Sequence, residues 1–236
     1  VEIIDITEQY SVIGVFGPNT TNLVKEIPGL DWINDLNYFR FGFGQFLDIE
    51  VMFARLSFLG EAGWELSCSK NDIEKIVTLL IKKNVKPIGL FAQTSMRIEK
   101  KFLSYGHDFD SDTTPSMVFP NKYIQLLKKS KTINDLKLKK LALNTSKKKL
   151  VSLVFEELNC FPIGNETVQY ENKIIGITTS AAFGFRINKP VALAMINFHH
   201  YKNFNQVEVT IGQNIFFAKV IEGAVYDPNG DKMINY

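Results

Sequence analysis

The N-terminal part of the chain alternates between short apolar stretches and polar turns, which predicts strands joined to helices. The segments VEIIDI and YSVIGVFG are rich in β-branched residues, which favour strands. We predict that a short helix opens at Pro18, whose ring suits the first helical turn. Residues 39–58 alternate well enough for two more strands, and we predict that the segment from Gly42 to Gly44 joins them.

Two longer helices are predicted after these strands. Asn71 and Glu74 have the spacing of a capping box. The apolar residues that follow fall on one helical face, namely Ile73, Ile76, Val77, Leu80 and Ile81. We expect this helix to end near residues 82–84, because Pro87 prevents it from continuing. A second helix is predicted over residues 91–103.

The composition of the chain changes in its middle. Residues 121–148 are rich in lysine, and we interpret them as a connecting segment between a first domain over residues 1–120 and a second over residues 149–236. The second domain consists of short β-like runs with candidate hairpin turns at Asn172 and at residues 212–213. This pattern predicts a small antiparallel barrel or sandwich, and the fold class as a whole is α+β.

Charge and composition exclude several classes of protein. The 236 residues are 45% hydrophobic and carry a formal net charge of +2, which gives no field strong enough to indicate nucleic acid or an anionic membrane as a partner. Cys68 and Cys160 have no metal-ligand spacing, so we interpret them as buried thiols rather than a disulfide. No apolar run approaches the roughly 20 residues that span a bilayer, and no signal peptide is visible. We therefore expect a cytoplasmic protein.

One acidic series invites a metal-binding hypothesis. Asp108, Asp110 and Asp112 have the spacing of a calcium loop, but an EF-hand loop would need glycine in place of Thr113 and glutamate in place of Phe119. We interpret the series as turn residues.

Three other patterns have a plain structural interpretation. The lysine run contains none of the interleaved aromatics on which single-stranded nucleic acid stacks, so a solvated surface explains it better. The GFG sequence at residues 42–44 lacks the third glycine and the helix of a dinucleotide-binding fingerprint. His107 lies beside Asp108, yet no serine or cysteine triad accompanies it, and we expect a structural role.

The segment SFLGEAGWELSCS at residues 57–69 is the best candidate for a site. Its two glycines let a ligand approach the backbone, and Glu61 or Glu65 can present a carboxylate. A carboxylate is the natural partner of a planar edge with two N–H groups side by side, as in a guanidinium or an aminopyrimidine ring. We expect a helix to follow this segment. The structural alternative is a tight turn in which Trp64 fills the core.

Several segments together resemble the aminomethyltransferase family, that of the glycine-cleavage T-protein. SFLGEAGWELSCS is similar to the family's G-Y-T-G-E-x-G-W-E-L, and YSVIGVFGPNT is similar to a-L-L-x-L-Q-G-P. GLFAQTSMRIEKKFLSYGHDFDSDTTP resembles G-L-x-A-x-x-S-L-R-x-E-K-G-Y-x-x-W-G-x-D-L-x-x-D-x-T-P. IIGITTSAAFGFRINKPVALAMI and AVYDPNGDKM resemble the end of the family's sequence. The branch most like this chain is the folate-binding portion of dimethylglycine and sarcosine dehydrogenases.

The resemblance implies a folate-binding domain, incomplete at its N-terminus, followed by a small antiparallel β-barrel. It implies transfer of a one-carbon unit to tetrahydrofolate as cofactor, from a small amine-derived donor. Glu65 matches the family glutamate that binds the pterin, and Phe58 matches a tyrosine at the pterin, whose ring it keeps and whose hydroxyl it lacks. Gln93 stands where T-proteins have an arginine, a position at which the dehydrogenase branch also departs. Arg97 and Glu99 match residues expected to anchor a helix.

The resemblance does not include the N-terminal part of the family domain. The family's catalytic aspartate lies upstream of the segment that VEIIDI resembles, so we expect no catalytic residue in this chain, which begins at Val1. FAD is expected only in a separate or missing flavin dehydrogenase domain or subunit. We expect the chain to be part of a longer enzyme. The alternatives are a non-catalytic folate-binding or interaction module and a folate-dependent demethylase that acts on another methyl donor.

Overall fold

The computed structural model describes residues 1–118, 148–197 and 205–234, which form two compact units. The first unit combines Val1–Gln93 with Asn229–Tyr236, and the second spans Thr94–Pro228. Within the described ranges the α-helices are α1 (Thr20–Lys25), α2 (Ile73–Lys82), α3 (Leu90–Glu99), α4 (Pro115–Val118) and α5 (Asp231–Ile234), and the 3-10 helices are Thr7–Gln9 and Asp31–Asp35. None of these helices is both long enough and apolar enough to cross a membrane.

The first unit is built on a four-stranded antiparallel sheet with the strand order β1-β4-β3-β2. The strands are β1 (Tyr10–Phe16), β2 (Phe41–Phe46), β3 (Ile49–Ala54) and β4 (Gly63–Ser69). Side chains alternate between the two faces of a sheet, and one face packs into a core with residues of α1 and α2. The sheet residues in that core are Val15, Phe46, Ile49, Val51, Phe53, Trp64, Leu66 and Cys68.

We call the opposite surface of this sheet the open face. It consists of Tyr10, Val12, Gly14, Phe16, Phe41, Phe43, Gln45, Glu50, Met52, Ala54, Gly63, Glu65, Ser67 and Ser69. All of these residues are exposed or half-buried except Gly63, which is buried. The open face therefore includes one of the two carboxylates in the segment that the sequence marks as a candidate site.

The turn between β2 and β3 lies at Leu47 and Asp48, so the prediction that Gly42–Gly44 joins two strands was wrong. Both glycines lie inside β2. A Cβ atom added at Gly42 or Gly44 would lie 2.6 or 2.7 Å from ring atoms of Trp32, so the indole packs directly against the strand backbone. Glycine at these two positions thus leaves room for the Trp32 ring and does not form a turn.

Helix α2 confirms the predicted apolar face at Ile73, Ile76 and Leu80, but Ile81 is 51% exposed and the predicted cap is absent. The N-cap is Asp72, which makes no side-chain capping hydrogen bond, so a capping box of Asn71 and Glu74 was wrong. Asn71 belongs to the preceding turn, where its backbone N–H donates to Ser69 Oγ at 3.4 Å. The helix ends as predicted, and Asn84 just beyond it has the left-handed φ of 61° that is common at helix ends.

The second unit contains a closed antiparallel barrel with the strand order β10-β5-β8-β7-β6-β9. Its strands are β5 (Lys148–Phe155), β6 (Thr167–Tyr170), β7 (Lys173–Gly184), β8 (Lys189–Asn197), β9 (Gln206–Ile211) and β10 (Asn214–Ile221). Both predicted hairpin turns are confirmed: Glu171 and Asn172 connect β6 to β7, and Gly212 and Gln213 connect β9 to β10. The predicted α+β fold that ends in a small barrel is confirmed.

The predicted connecting segment over residues 121–148 lies outside the described residues except for Lys148, which begins β5. The domain boundaries inferred from the sequence stay a prediction.

Arg97 on α3 is buried in the second unit and makes a dense set of hydrogen bonds. Its Nη1 donates to Asp108 Oδ2 at 2.7 Å and to the Phe102 carbonyl at 3.0 Å, and its Nη2 donates to Ser180 Oγ at 2.9 Å. Asp108 also accepts from Thr179 Oγ1 at 2.7 Å. Arg97 thus anchors α3, as expected, and Asp108 is committed to an internal ion pair.

Glu99, at the end of α3, is fully buried and makes a second anchor. Its Oε1 accepts from the backbone N–H groups of Arg186 and Ile187 at 2.8 and 3.1 Å, and its Oε2 accepts from Arg186 Nε at 2.6 Å. A Cβ atom at Gly184 would lie 2.9 Å from Glu99 Oε1, so glycine at that position leaves space for the carboxylate.

Candidate functional site

Glu65 stands between two small residues of the open face. In the sheet register Glu65 is opposite Gly14 on β1 and opposite Ala54 on β3. Neither neighbour has a side chain that can cover the carboxylate, and Glu65 is only half-buried. A planar ligand can therefore approach the carboxylate across β3, on the side of Ala54.

The loop before β4 and the start of β4 place some residues of the candidate segment in the core and others on the open face. Gly60 has a φ of 75°, and its N–H and that of Glu61 donate to Ser57 Oγ at 3.0 and 3.2 Å. This turn leaves Glu61 buried. The chain then enters β4, where Trp64 and Glu65 point to opposite faces.

Trp64 fills the core, as the structural alternative predicted. Its ring is 2% exposed and packs edge-to-face on Phe53 with centroids 5.2 Å apart. The packing role of Trp64 leaves Glu65 on the open face, so the two interpretations of the segment apply to neighbouring residues. β4 continues through Glu65 to Ser69, and the helix expected after the segment is α2, which begins at Ile73.

Apolar side chains share the open face with Glu65, although Glu65 does not line the cavity that some of them form. Val12, Phe41 and Phe43 are 61%, 63% and 75% exposed, which is unusual for large apolar residues on one surface. Val12, Phe43 and Met52 line a cavity of about 800 Å³ together with Ile6, Tyr10, Gly44, Gln45, Glu50, Val51 and Ser67. A concave, mostly apolar surface with a few polar groups is typical of small-molecule sites.

The other two residues predicted for the site lie on different elements of the first unit. Phe58 is half-buried in the loop between β3 and β4. Gln93 is half-buried in the first turn of α3. The roles assigned to Glu65, Phe58 and Gln93 by resemblance stay predictions.

The sequence alone did not indicate that apolar residues share the open face with Glu65. Val12, Phe41 and Phe43 reach this surface because the register of three strand pairs places them on the same side as Glu65. Alternation along each strand shows which of its residues share a face. Predicting which strands lie beside Glu65 also requires the strand order, which periodicity does not provide.

Two other predictions from the sequence concern thiols and metals. Cys68 and Cys160 are free and buried, as predicted, and burial raises the pKa of both thiols, that of Cys160 to about 12. Within residues 1–118, 148–197 and 205–234 there is no group of three or more His, Cys, Asp or Glu residues that could hold a metal ion. Asp110 accepts hydrogen bonds from the Asp112 N–H and the Thr113 hydroxyl, as expected for a turn residue.

Comparison with known families agrees with this two-part architecture. A family model described as the GCVT N-terminal domain matches residues 1–126, and one described as the glycine cleavage T-protein C-terminal barrel domain matches residues 148–227. The chain belongs to the glycine cleavage T-protein family.

Two individual relatives and one solved structure are also similar to this chain. The chain is 31% identical over 229 residues to rat dimethylglycine dehydrogenase, mitochondrial, covering 94% of this chain and 26% of that protein. It is 29% identical over 221 residues to an aminomethyltransferase of Thermosipho melanesiensis, covering 93% of this chain and 60% of that protein. The crystal structure of glycine cleavage system aminomethyltransferase T from Bartonella henselae shares its fold, with a TM-score of 0.79 at 20% identity over 93% of this chain and 60% of that one. The chain thus spans about a quarter of the mammalian relative's length.

Proposed function

We propose that this chain forms the tetrahydrofolate-binding part of a cytoplasmic protein that transfers a one-carbon unit to tetrahydrofolate. Membership of the family supports folate-dependent one-carbon transfer at the level of the family. The observation that carries the proposal is the position of Glu65, a half-buried carboxylate between Gly14 and Ala54 on an apolar open face.

The chemistry of Glu65 fits the pterin of the ligand. The aminopyrimidine edge of a pterin carries two neighbouring N–H donors, which a carboxylate accepts together. The apolar cavity on the same open face, which Met52 and Ser67 line, suits the uncharged body of the ligand. Phe58 would contribute an aromatic ring, and Gln93 an uncharged amide in place of the arginine of T-proteins.

The residues of this chain would hold and orient the acceptor of the one-carbon unit. Fixing tetrahydrofolate in place lowers the entropic cost of the reaction, and an apolar surface keeps water away from a labile iminium. The one-carbon unit would come from a small amine-derived donor, through a flavin dehydrogenase domain or subunit that holds FAD. We assign no catalytic residue to this chain.

Binding of tetrahydrofolate to Glu65 variants of the full-length protein tests the proposal. We expect Glu65→Ala to weaken binding by about 1.5–3 kcal/mol, or about 10- to 150-fold in Kd, because the charged hydrogen bonds to the ligand are lost. Glu74→Ala is the matched control, since Glu74 is an exposed carboxylate of the same unit that lies on α2 and not on the open face. Titration calorimetry under anaerobic conditions measures both. An unchanged affinity in Glu65→Ala would reject the assignment.

A second candidate function is a folate-binding module without transfer activity. The observation that favours it is Phe58, which lacks the hydroxyl of the family's tyrosine. Formation of methylenetetrahydrofolate by the full-length protein, with dimethylglycine or sarcosine as donor, separates the two functions. Binding without turnover supports the module, and turnover with a different methylated donor supports a folate-dependent demethylase.

A further inference from the structure

Phe16 occupies an unusual position at the end of β1. A Cβ atom added at Gly14 would lie 2.2 Å from Phe16 Cε2, and one added at Gly63 would lie 2.5 Å from Phe16 Cδ1. The phenyl ring therefore lies across the space that two side chains of the open face would otherwise fill. Gly14 makes this placement possible, since a larger residue there would collide with the ring, and at Gly63 a Cβ would collide with both the ring and the Val15 carbonyl oxygen.

The same two glycines are the neighbours of Glu65. Gly14 is opposite Glu65 in the β1–β4 pair, and Gly63 precedes Glu65 by two residues on the same face of β4. Phe16, opposite Gly63, is thus the diagonal neighbour of Glu65. Diagonal neighbours in an antiparallel pair are about 7–8 Å apart, which is within reach of aromatic and long side chains. The ring and the carboxylate consequently occupy adjoining positions on one surface.

The Phe16 side chain is exposed enough for a ligand to contact it. The side chain is half-buried, whereas its neighbour Val15, on the other face, is buried in the core at 4% exposure. Glycine weakens a strand, and it occurs inside strands where another group approaches the backbone closely. Here the approaching group is a ring that rests on the sheet next to the carboxylate.

We propose that Phe16 is a binding residue that stacks on the heterocycle whose paired N–H donors Glu65 accepts. The inference rests on the proposed function and names a further residue of the same site, in addition to Phe58. An aromatic ring beside a carboxylate selects planar heterocycles with an amino-substituted edge over ligands that have only one of these features.

Two ligands and two variants of the full-length protein test this role. Tetrahydrofolate contains the pterin, whereas p-aminobenzoylglutamate contains the rest of the molecule without it. We expect Phe16→Leu to weaken tetrahydrofolate binding about tenfold, because stacking is lost, and to leave p-aminobenzoylglutamate binding unchanged. Phe16→Tyr keeps the ring and should retain tetrahydrofolate affinity. Phe185→Leu, an exposed phenylalanine of the second unit, is the control for surface substitution.

The outcomes separate this inference from the proposed function. If Phe16→Leu binds tetrahydrofolate as the wild type does, while Glu65→Ala does not, the role of Phe16 is wrong and the proposed function stands. Equal losses for both ligands would also overturn it. A wild-type protein that binds no tetrahydrofolate overturns both. Should Phe16→Leu fail to fold, NMR of the ring-labelled wild type decides, since a stacked pterin shifts the Phe16 ring resonances and an absent shift rejects the contact.

Discussion

The Arg97 guanidinium donates to the Asp108 carboxylate at 2.7 Å, and both side chains are almost completely buried. The carboxylate is also held by the Ser104 N–H at 2.9 Å and by the Thr179 hydroxyl at 2.7 Å. The pair thus joins α3 to the following turn and to β7 within the second unit. Replacing only one residue of such a buried ion pair is strongly destabilising, because the remaining charge stays buried without its partner.

We expect Arg97→Met to lower the free energy of unfolding by about 3–5 kcal/mol, because it leaves Asp108 buried without its cation. Lys75→Met is the matched control. Lys75 pairs with Asp72 at 3.3 Å, but its side chain is 63% exposed, and such surface pairs contribute at most about 1 kcal/mol. Urea denaturation followed by circular dichroism measures both variants. Similar small effects for the two would show that the buried pair is not a main anchor of α3.

Gly63→Ala tests the close approach of β1 to β4. A Cβ atom there would lie 2.3 Å from the Val15 carbonyl oxygen, and the backbone must move to relieve the clash. We expect destabilisation of about 1–3 kcal/mol. Gly89→Ala is the control in the same unit, since a Cβ at Gly89 meets nothing within 4 Å. Thermal unfolding of the two variants gives the comparison, and equal transition temperatures would contradict the expected clash.

The lowered pKa of Lys101 predicts that the free energy of unfolding rises at alkaline pH. Burial lowers its pKa from 10.5 to about 8, although the Glu222 carboxylate opposes the shift. Between these two values the unfolded state binds more protons than the folded state, so the free energy of unfolding increases with pH. The cost of burying the charged amine is fully present below pH 8 and is relieved as pH rises toward 10.5.

We therefore expect the Lys101→Met variant to lack this component of the rise. Lys82→Met, at an exposed position on α2, should retain it. Urea denaturation of the wild type and the two variants, at several pH values across the interval, measures the difference. If Lys101→Met and the wild type show the same pH dependence, the lowered pKa is wrong.

Cys160 should be unreactive while the protein is folded. The residue is 1% exposed and burial raises its pKa to about 12, so neither access nor thiolate is available at neutral pH. We expect iodoacetamide to modify Cys160 only after unfolding in guanidinium chloride, as mass spectrometry of the peptides would report. Ser111→Cys provides a positive control, because Ser111 is exposed in the same unit. If the folded variant were modified at Cys160 as fast as at position 111, the burial of Cys160 would be contradicted.

Local patterns predicted the elements well where one residue type dictates the backbone. The turns at Asn172 and Gly212 were predicted because these residues adopt the left-handed conformation that two-residue hairpins need, and their φ values are 59° and 61°. The same logic failed at Gly42 and Gly44, where glycine makes room for Trp32 instead of forming a turn. Composition alone does not distinguish these two uses of glycine.

The sequence by itself determined the α+β architecture and the barrel and indicated Glu65 as a candidate, because strand periodicity, turn chemistry and family motifs are local properties of the chain. Only the tertiary structure decided what surrounds Glu65. Gly14, Ala54 and Phe16 become its neighbours through the pairing of β1 and β3 with β4. Strand order and register depend on the packing of a whole face, and so the surface that we propose as a folate site exists only once the sheet has formed.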